Sequence, residues 1–154
     1  MRGTVEVDET YLGGLEEGVA GRKTEKKALI AVAAEEDGDG IGRIRLQHIP
    51  DASACSLHSF VLAPIEGGSV VRTDGWDGYN GLEVFGYKRK ITVLRGRTKK
   101  PHELMPRVHR VASLLKRWIL GTHQGAVSHE HLEYYLDEFA FRFYAEHSLM
   151  RSSG

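Results

Sequence analysis

The run "ALIAVAA", Ala28 to Ala34, is the longest stretch of this chain without a polar side chain. Seven residues are far too few to cross a bilayer, which takes about 20 in a helix. A short apolar run with no alternation, bounded by "KK" on one side and "EEDGDG" on the other, reads as a strand buried in the interior. Such a strand needs partner strands on its edges and apolar cover on its faces, so the rest of the chain is expected to form a sheet with helices packed on it. The 154 residues suit one domain, and 41% hydrophobic residues supply a core of that size.

The neighbouring segments supply the other elements. In "VEVDETYLGG", Val5 and Val7 alternate with Glu6 and Asp8, and the pattern breaks from Thr10 to Gly14, so a first strand is expected to finish on Asp8. A Gly-rich, charged connection leads to the buried strand, and a tight polar turn leads out of it. "RIRLQHI" then sets Ile44, Leu46 and His48 against Arg43, Arg45 and Gln47, as the third strand of a meander. "DASACSLHSFVLAPIE" opens with the cap-forming Asp51 and Ser53 and carries Leu57, Phe60, Val61 and Ile65 at helical spacing, with Pro64 at its end.

Ser69 to Thr73 is a short β-branched run that stops at Asp74-Gly75. Because a helix precedes it, this fourth strand most simply lies parallel to the first through a crossover. A weak helical turn separates it from "GYKRKITVLRG", a fifth strand leading into the basic loop "RGRTKKPHE". From Glu103 the pattern is helical, with Leu104, Val108, Val111, Leu115 and Trp118 as its apolar stripe. A last helix, N-capped by Ser128, buries Leu132, Tyr135, Leu136, Phe139 and Phe143. Tyr134 and Phe141 are also read as core aromatics.

If the first and fourth strands are parallel neighbours, their carboxyl ends lie side by side, and each ends in an acid: Asp8 and Asp74. Two carboxylates held close repel each other, but together they hold hard divalent cations through oxygen. Paired Mg²⁺ or Mn²⁺ activates a water or hydroxyl and stabilises the leaving oxygen of a phosphodiester. A third ligand is then expected from an element leaning over the same end of the sheet. In the helix starting near Pro106, His109, Ser113 and Lys116 fall four and three residues apart on one face. Taken locally, the same residues read as a surface histidine and a solvated lysine.

The chain is neutral as a whole, yet Lys88 to Arg117 holds eleven Lys and Arg against the single acid Glu103. That density is a footprint of a polyanion partner. Lys88, Arg89, Lys90, Arg95, Arg97, Lys99, Lys100 and Arg117 are the candidate contacts to it. If that partner is a nucleic acid, Trp76 and Tyr79, just after Asp74, are candidates to stack on an unpaired base, with packing of the sheet end as the alternative. Cys55 is the only cysteine, which excludes an internal disulfide or thiolate zinc cluster and suits a reducing cytoplasm.

"VEVDETYLGG", "VVRTDGWDGYNGL" and, above all, "LLKRWILGTHQGAVSHEHLEYYLDEFAFRF" resemble the transposase domain of a bacterial insertion-sequence family, the ISXO-type DDE transposases, from about Val5 to Phe143. The resemblance implies an α/β fold, a ribonuclease-H-like mixed five-stranded sheet flanked by helices. It implies a metal-dependent nuclease and strand transferase, using Mg²⁺ or Mn²⁺, that cleaves DNA at transposon ends and joins it to target DNA. The implied partners are DNA and further copies of the chain, in the bacterial cytoplasm at the nucleoid. By position, the first two catalytic acids are Asp8 and Asp74, and the lysine seven residues after the third catalytic position is Lys116.

That third position, a Glu or Asn in many relatives, is His109 here, aligned through "SLLKRW". An imidazole ligates Mn²⁺, whereas Mg²⁺ prefers oxygen. The expectation is therefore an Asp-Asp-His variant, with His102, Glu103 and Glu138 as fallback ligands. The family also carries an N-terminal zinc ribbon or other DNA-recognition module and a basic C-terminal tail, and residues 1–154 are expected to be the catalytic domain without them. Two competing readings are a catalytically inactive, truncated remnant that only binds DNA, and an interaction module that self-associates through its aromatic C-terminal helix.

Overall fold

A computed structural model of the chain describes residues 1–12, 27–92, 104–123 and 131–152. Five strands form one mixed sheet: β1 (Thr4–Leu12), β2 (Ala28–Asp37), β3 (Gly40–Ile49), β4 (Val70–Thr73) and β5 (Lys88–Ile91), in the order β3-β2-β1-β4-β5. β1, β2 and β3 form an antiparallel meander, while β4 lies parallel to β1, and β5 parallel to β4. Helix α1 (Ala54–Leu62) connects β3 to β4, two short 3-10 turns (Asp77–Tyr79 and Leu82–Phe85) connect β4 to β5, and helices α2 (Pro106–His123) and α3 (Leu132–Ser152) follow.

β2 is apolar at consecutive positions because both of its faces are covered. Ala28, Ile30, Val32 and Ala34 pack with Val108, Val111, Leu115 and Ile119 of α2 and Leu132, Leu136, Phe139 and Phe143 of α3. Leu29, Ala31 and Ala33 face the other way, toward Leu57, Phe60 and Val61 of α1, with Val5, Val7 and Val71 from the flanking strands. The β2–β3 connection is a tight two-residue hairpin whose Gly38 sits at φ +58°, a left-handed conformation that glycine adopts at little cost. α1 begins as its sequence dictates: Ser53 Oγ accepts from the backbone N–H of Ser56, and Asp51 accepts from both Ser53 N and Ser56 Oγ.

α3 is tied to β3 by Tyr144, whose hydroxyl donates to Ile44 O and accepts from Ile44 N, each at 2.7 Å. Phe139 of α3 lies 5.9 Å from Trp118 of α2, centroid to centroid. Two aromatic assignments need correction. Tyr134 and Phe141 are 66% and 74% exposed rather than core, because the helix buries the stripe of Leu132, Leu136, Phe139 and Phe143 and turns these two to its outer side. α2 buries Val108, Val111, Leu115 and Ile119, with Met105 just before it also buried and Trp118 only partly covered.

Candidate metal centre

β1 does not stop at Asp8. It continues to Leu12 because β2 pairs with it along its whole length, to Leu12↔Ala28. What ends is its other neighbour: the β1–β4 ladder runs from Thr4↔Val70 to Glu6↔Arg72, and β4 finishes at Thr73. Asp8 and Asp74 each lie two residues beyond that last pair, so the register sets the two acids side by side at an open notch in the sheet.

The notch collects a third acid. One carboxylate oxygen from each of Asp8, Glu9 and Asp74 lies within 4.8 Å of the others, the only such group of potential metal ligands among the described residues. Period-2 alternation sends Asp8 and Glu9 to opposite faces, and for that reason sequence reasoning passes over Glu9. Past the end of β4 no strand separates the two faces, so both side chains can converge on the same space. Tyr79, fully buried, donates its hydroxyl to the Glu9 carboxylate from the α1 side. Burial and that carboxylate in turn push the Tyr79 phenol well above its ordinary value. Tyr79 therefore packs the sheet end and supports Glu9; it is not exposed for stacking on a base. Trp76 is half exposed and donates Nε1 to Ala52 O.

The electrostatics of the notch are those of crowded acids. Burial, then the charge of Glu9, then that of Asp74, push the Asp8 carboxyl from 3.8 up to about 7, against a lowering hydrogen bond from Glu9 N. Burial first, and Asp74 after it, also raise Glu9, while the Tyr79 hydrogen bond opposes the rise. A divalent cation bound there would remove the cause of both the repulsion and the desolvation penalty.

Asp74 is held by its own loop. Its carboxylate accepts from Trp76 N, and its backbone carbonyl accepts from Thr73 Oγ1. Arg89, expected as a DNA contact, has its guanidinium donors engaged instead at this loop, with Thr73 Oγ1, Asp74 O, Trp76 O and Asn80 Oδ1. Gly78 is required where it stands: a Cβ there would sit 2.5 Å from Ala52 O and 2.7 Å from Leu57 Cδ1.

α2 forms the opposite wall. Asp8, Glu9, Thr10 and Val32 line a cleft of about 170 Å³ together with His109, Ser113 and Lys116 from one face of the helix. The i, i+4, i+7 spacing thus brings His109 and Lys116 over Asp8, although His109 stands outside the mutually close group of three acids. Glu138 lies on α3 in an ion pair with Arg142 one turn on, and is no part of this group. His102, Glu103, Arg95, Arg97, Lys99 and Lys100 lie outside the described residues. Lys88 and Lys90 on edge strand β5 are exposed, as are Lys116 and Arg117 on α2.

The sequence model of the family described as the ISXO2-like transposase domain matches residues 1–144. The catalytic core domain of BIV integrase superposes with a TM-score of 0.55 at 15% identity, covering 97% of both chains. A simian T-cell lymphotropic virus intasome in complex with the PP2A regulatory subunit B56 gamma contains a chain that matches at TM-score 0.56 and 12% identity, over 91% of this chain and 47% of that one. The Mos1 transposase of a paired-end complex with the left transposon end gives 0.50 and 15%, over 90% and 50%. This chain thus spans about half the length of the latter two proteins. No curated protein matches it. The shared fold is that of ribonuclease-H-like integrase and transposase cores.

Proposed function

The chain belongs to the ISXO2-like transposase domain family, and from that premise we propose that it cleaves DNA at transposon ends and transfers the freed strand to target DNA with divalent metal ions. The observation that carries this reading is the gathering of Asp8, Glu9 and Asp74 at the notch where β4 ends. An all-oxygen donor set of this kind suits Mg²⁺ or Mn²⁺. When bound, such ions activate the attacking water or 3′-hydroxyl and stabilise the leaving oxygen.

The chain's own residues do the rest. Asp8 and Asp74, two residues beyond the last β1–β4 pair, would hold the ions, and Glu9, steadied by Tyr79, would add a third carboxylate. His109 offers a nitrogen from α2, which favours Mn²⁺ over Mg²⁺ at that position. Lys116 presents an ammonium to the phosphate beside the scissile bond. Lys88, Lys90 and Arg117, with Arg95, Arg97, Lys99 and Lys100, neutralise DNA backbone, while Arg89 positions the Asp74 loop. DNA is the partner, in the bacterial cytoplasm at the nucleoid, and the paired-end and intasome neighbours support an assembly of two or more copies on it.

The test is nicking of a labelled transposon-end duplex in Mn²⁺ and in Mg²⁺, with calorimetric Mn²⁺ titration of the same preparations. Wild type is expected to nick in Mn²⁺, and Asp8→Asn and Asp74→Asn to lose both nicking and metal binding. A second reading, an inactive DNA-binding or self-associating remnant, draws on the exposure of His109 at the third position and of Tyr134 and Phe141 on α3. Wild type that binds DNA yet nicks in neither metal would establish that reading in place of the first.

A further inference from the structure

Glu6 is a fully buried acid that the metal centre does not use. Its side chain points to the α2 side of the sheet, as Asp8 does. Glu6 Oε1 accepts from the backbone N–H groups of Arg107 (2.9 Å) and Val108 (3.2 Å), and Oε2 accepts from Arg107 Nη1 (3.0 Å). Those two backbone donors belong to the first turn of α2, which has no intrahelical acceptors for them. The negative charge also lies at the positive end of the helix dipole. Pro106 starts the helix and brings no N–H that would need satisfying.

Arg107 extends the connection. Its Nε donates to Gly40 O (2.9 Å) and its Nη2 to Gly38 O (2.7 Å), both in the β2–β3 hairpin. Its Nη1 also lies 3.3 Å from Glu36 Oε1, which Arg72 of β4 approaches at the same distance. Arg72 is the β-ladder partner of Glu6. Arg107 thus joins α2 to β1 through Glu6, to β2 through Glu36 and to β3 through Gly40 O, and Glu36 carries the connection on to Arg72 of β4.

A buried ion pair is a poor stabiliser, because desolvation offsets most of its attraction, and a well-packed apolar replacement is often as stable or more so. What the pair does supply is direction. Carboxylate, backbone N–H groups and the guanidinium fork meet in one relative placement, whereas an apolar contact tolerates sliding and rotation. Asp8 follows Glu6 by two residues on β1, and His109 follows Arg107 by two residues on α2.

We propose that the Glu6–Arg107 pair is a positioning device: it sets the rotation and height of α2 against β1, so that His109 and Lys116 face Asp8 across the cleft. This rests on the proposed function for its consequence in catalysis, but not for its geometry.

The test separates the two. In a Cys55→Ser background, Thr10→Cys on β1 and Ser113→Cys on α2 place two thiols in the cleft, and their oxidation rate reports helix register without metal or DNA. The double variant E6M/R107M replaces the pair by apolar groups of similar volume. Cross-linking in it is expected to fall about tenfold at temperatures where circular dichroism shows it folded, with Glu6→Gln, which keeps one carbonyl acceptor for the helix N–H groups, within about threefold of wild type. Nicking by the same Glu6 and Arg107 variants, carried on the native Cys55, Thr10 and Ser113, is expected to lose kcat in parallel while DNA affinity stays unchanged.

Unchanged cross-linking in E6M/R107M overturns the proposal, as does lost register with full kcat. If wild type does not nick at all, the functional reading fails, and the cross-linking rate alone decides the positioning claim. Arg107→Lys, which keeps the charge and loses the fork, supplies the same comparison should the double variant not fold.

Discussion

Burial and two neighbouring carboxylates hold the Asp8 carboxyl near pH 7, which has a direct effect on stability. Because this value lies above the ordinary 3.8, the folded state keeps a proton that the unfolded chain has lost. The contribution to folding is therefore complete near pH 4 and lost as pH rises through about 7. The metal-free protein is expected to melt at lower temperature at pH 8 than at pH 5.5, and Asp8→Asn to restore on the order of 2 kcal/mol at pH 8 by removing a buried charge and its repulsion by Glu9 and Asp74. Thermal melts of both proteins across that range check this; a wild type equally stable at both pH values, with no gain from Asp8→Asn, refutes it. Mn²⁺ is expected to reverse the trend and to release protons on binding below pH 7, seen as a buffer-dependent heat in calorimetry. Tyr79→Phe removes the donor that counteracts the rise of Glu9. It is expected to weaken Mn²⁺ binding at pH 6.5 by about tenfold, a hydrogen bond to a charged group being worth about 1.5 kcal/mol or more. Equal affinity in the two proteins would remove Tyr79 from the site.

At the scale of elements, the site depends on how short β4 is and on what holds the chain after it. Arg89 reaches from β5 to bind Thr73, the Asp74 carbonyl, Trp76 and Asn80. Arg89→Met is expected to leave the sheet folded but to reduce Mn²⁺ affinity, because Asp74 loses its fixed place while Asp8 and Glu9 keep theirs. Calorimetry together with amide hydrogen exchange on residues 73–80 separates this from general destabilisation. Gly78→Ala is expected to cost about 2 kcal/mol, since the added methyl meets the side chains of Leu57 and Trp76 and also the backbone of Ala52, which cannot swing aside. Urea unfolding measures it. Ser53→Ala removes the α1 cap and is expected to cost about 1 kcal/mol, with no change in metal affinity.

Across the whole molecule, a neutral chain concentrates eleven of its 21 Lys and Arg between Lys88 and Arg117. If that segment neutralises DNA backbone, binding falls linearly with the logarithm of salt concentration, and replacing any one of Lys88, Lys90 or Arg117 by Gln lowers the slope by about one, uniformly across DNA sequences. Arg89→Gln is expected to leave the slope unchanged, because its donors are already engaged within the chain. Fluorescence anisotropy at several salt concentrations makes the comparison. A slope that responds to Arg89 as it does to Lys88 would return that residue to the DNA surface.

The meander, the crossover to a parallel β4 and the covered sheet were all legible as periodicity, because alternation and its absence are local records of which faces are buried. Asp74 was legible at the break that ends β4, and the parallel pairing of β4 with β1 sets Asp8 level with it, although the strand end expected at Asp8 is not there because β2 carries β1 on to Leu12. Helical spacing set His109 and Lys116 on one face, the resemblance gave them roles, and the cleft they share with Asp8 follows from that spacing. Glu9 was not legible, since strand periodicity assigns it to the wrong face; only the place where β4 stops lets it turn toward Asp8. Neither the Arg89 clamp nor the Glu6–Arg107 pair left a local trace, because a buried carboxylate in a strand and an arginine 101 residues later look like any other charges until the chain brings them together. Local sequence determined the elements through the covalent periodicity of the backbone. Tertiary structure alone decided which charges meet, because the energy of an ion pair depends on distance and desolvation, and both are set by parts of the chain far apart in sequence.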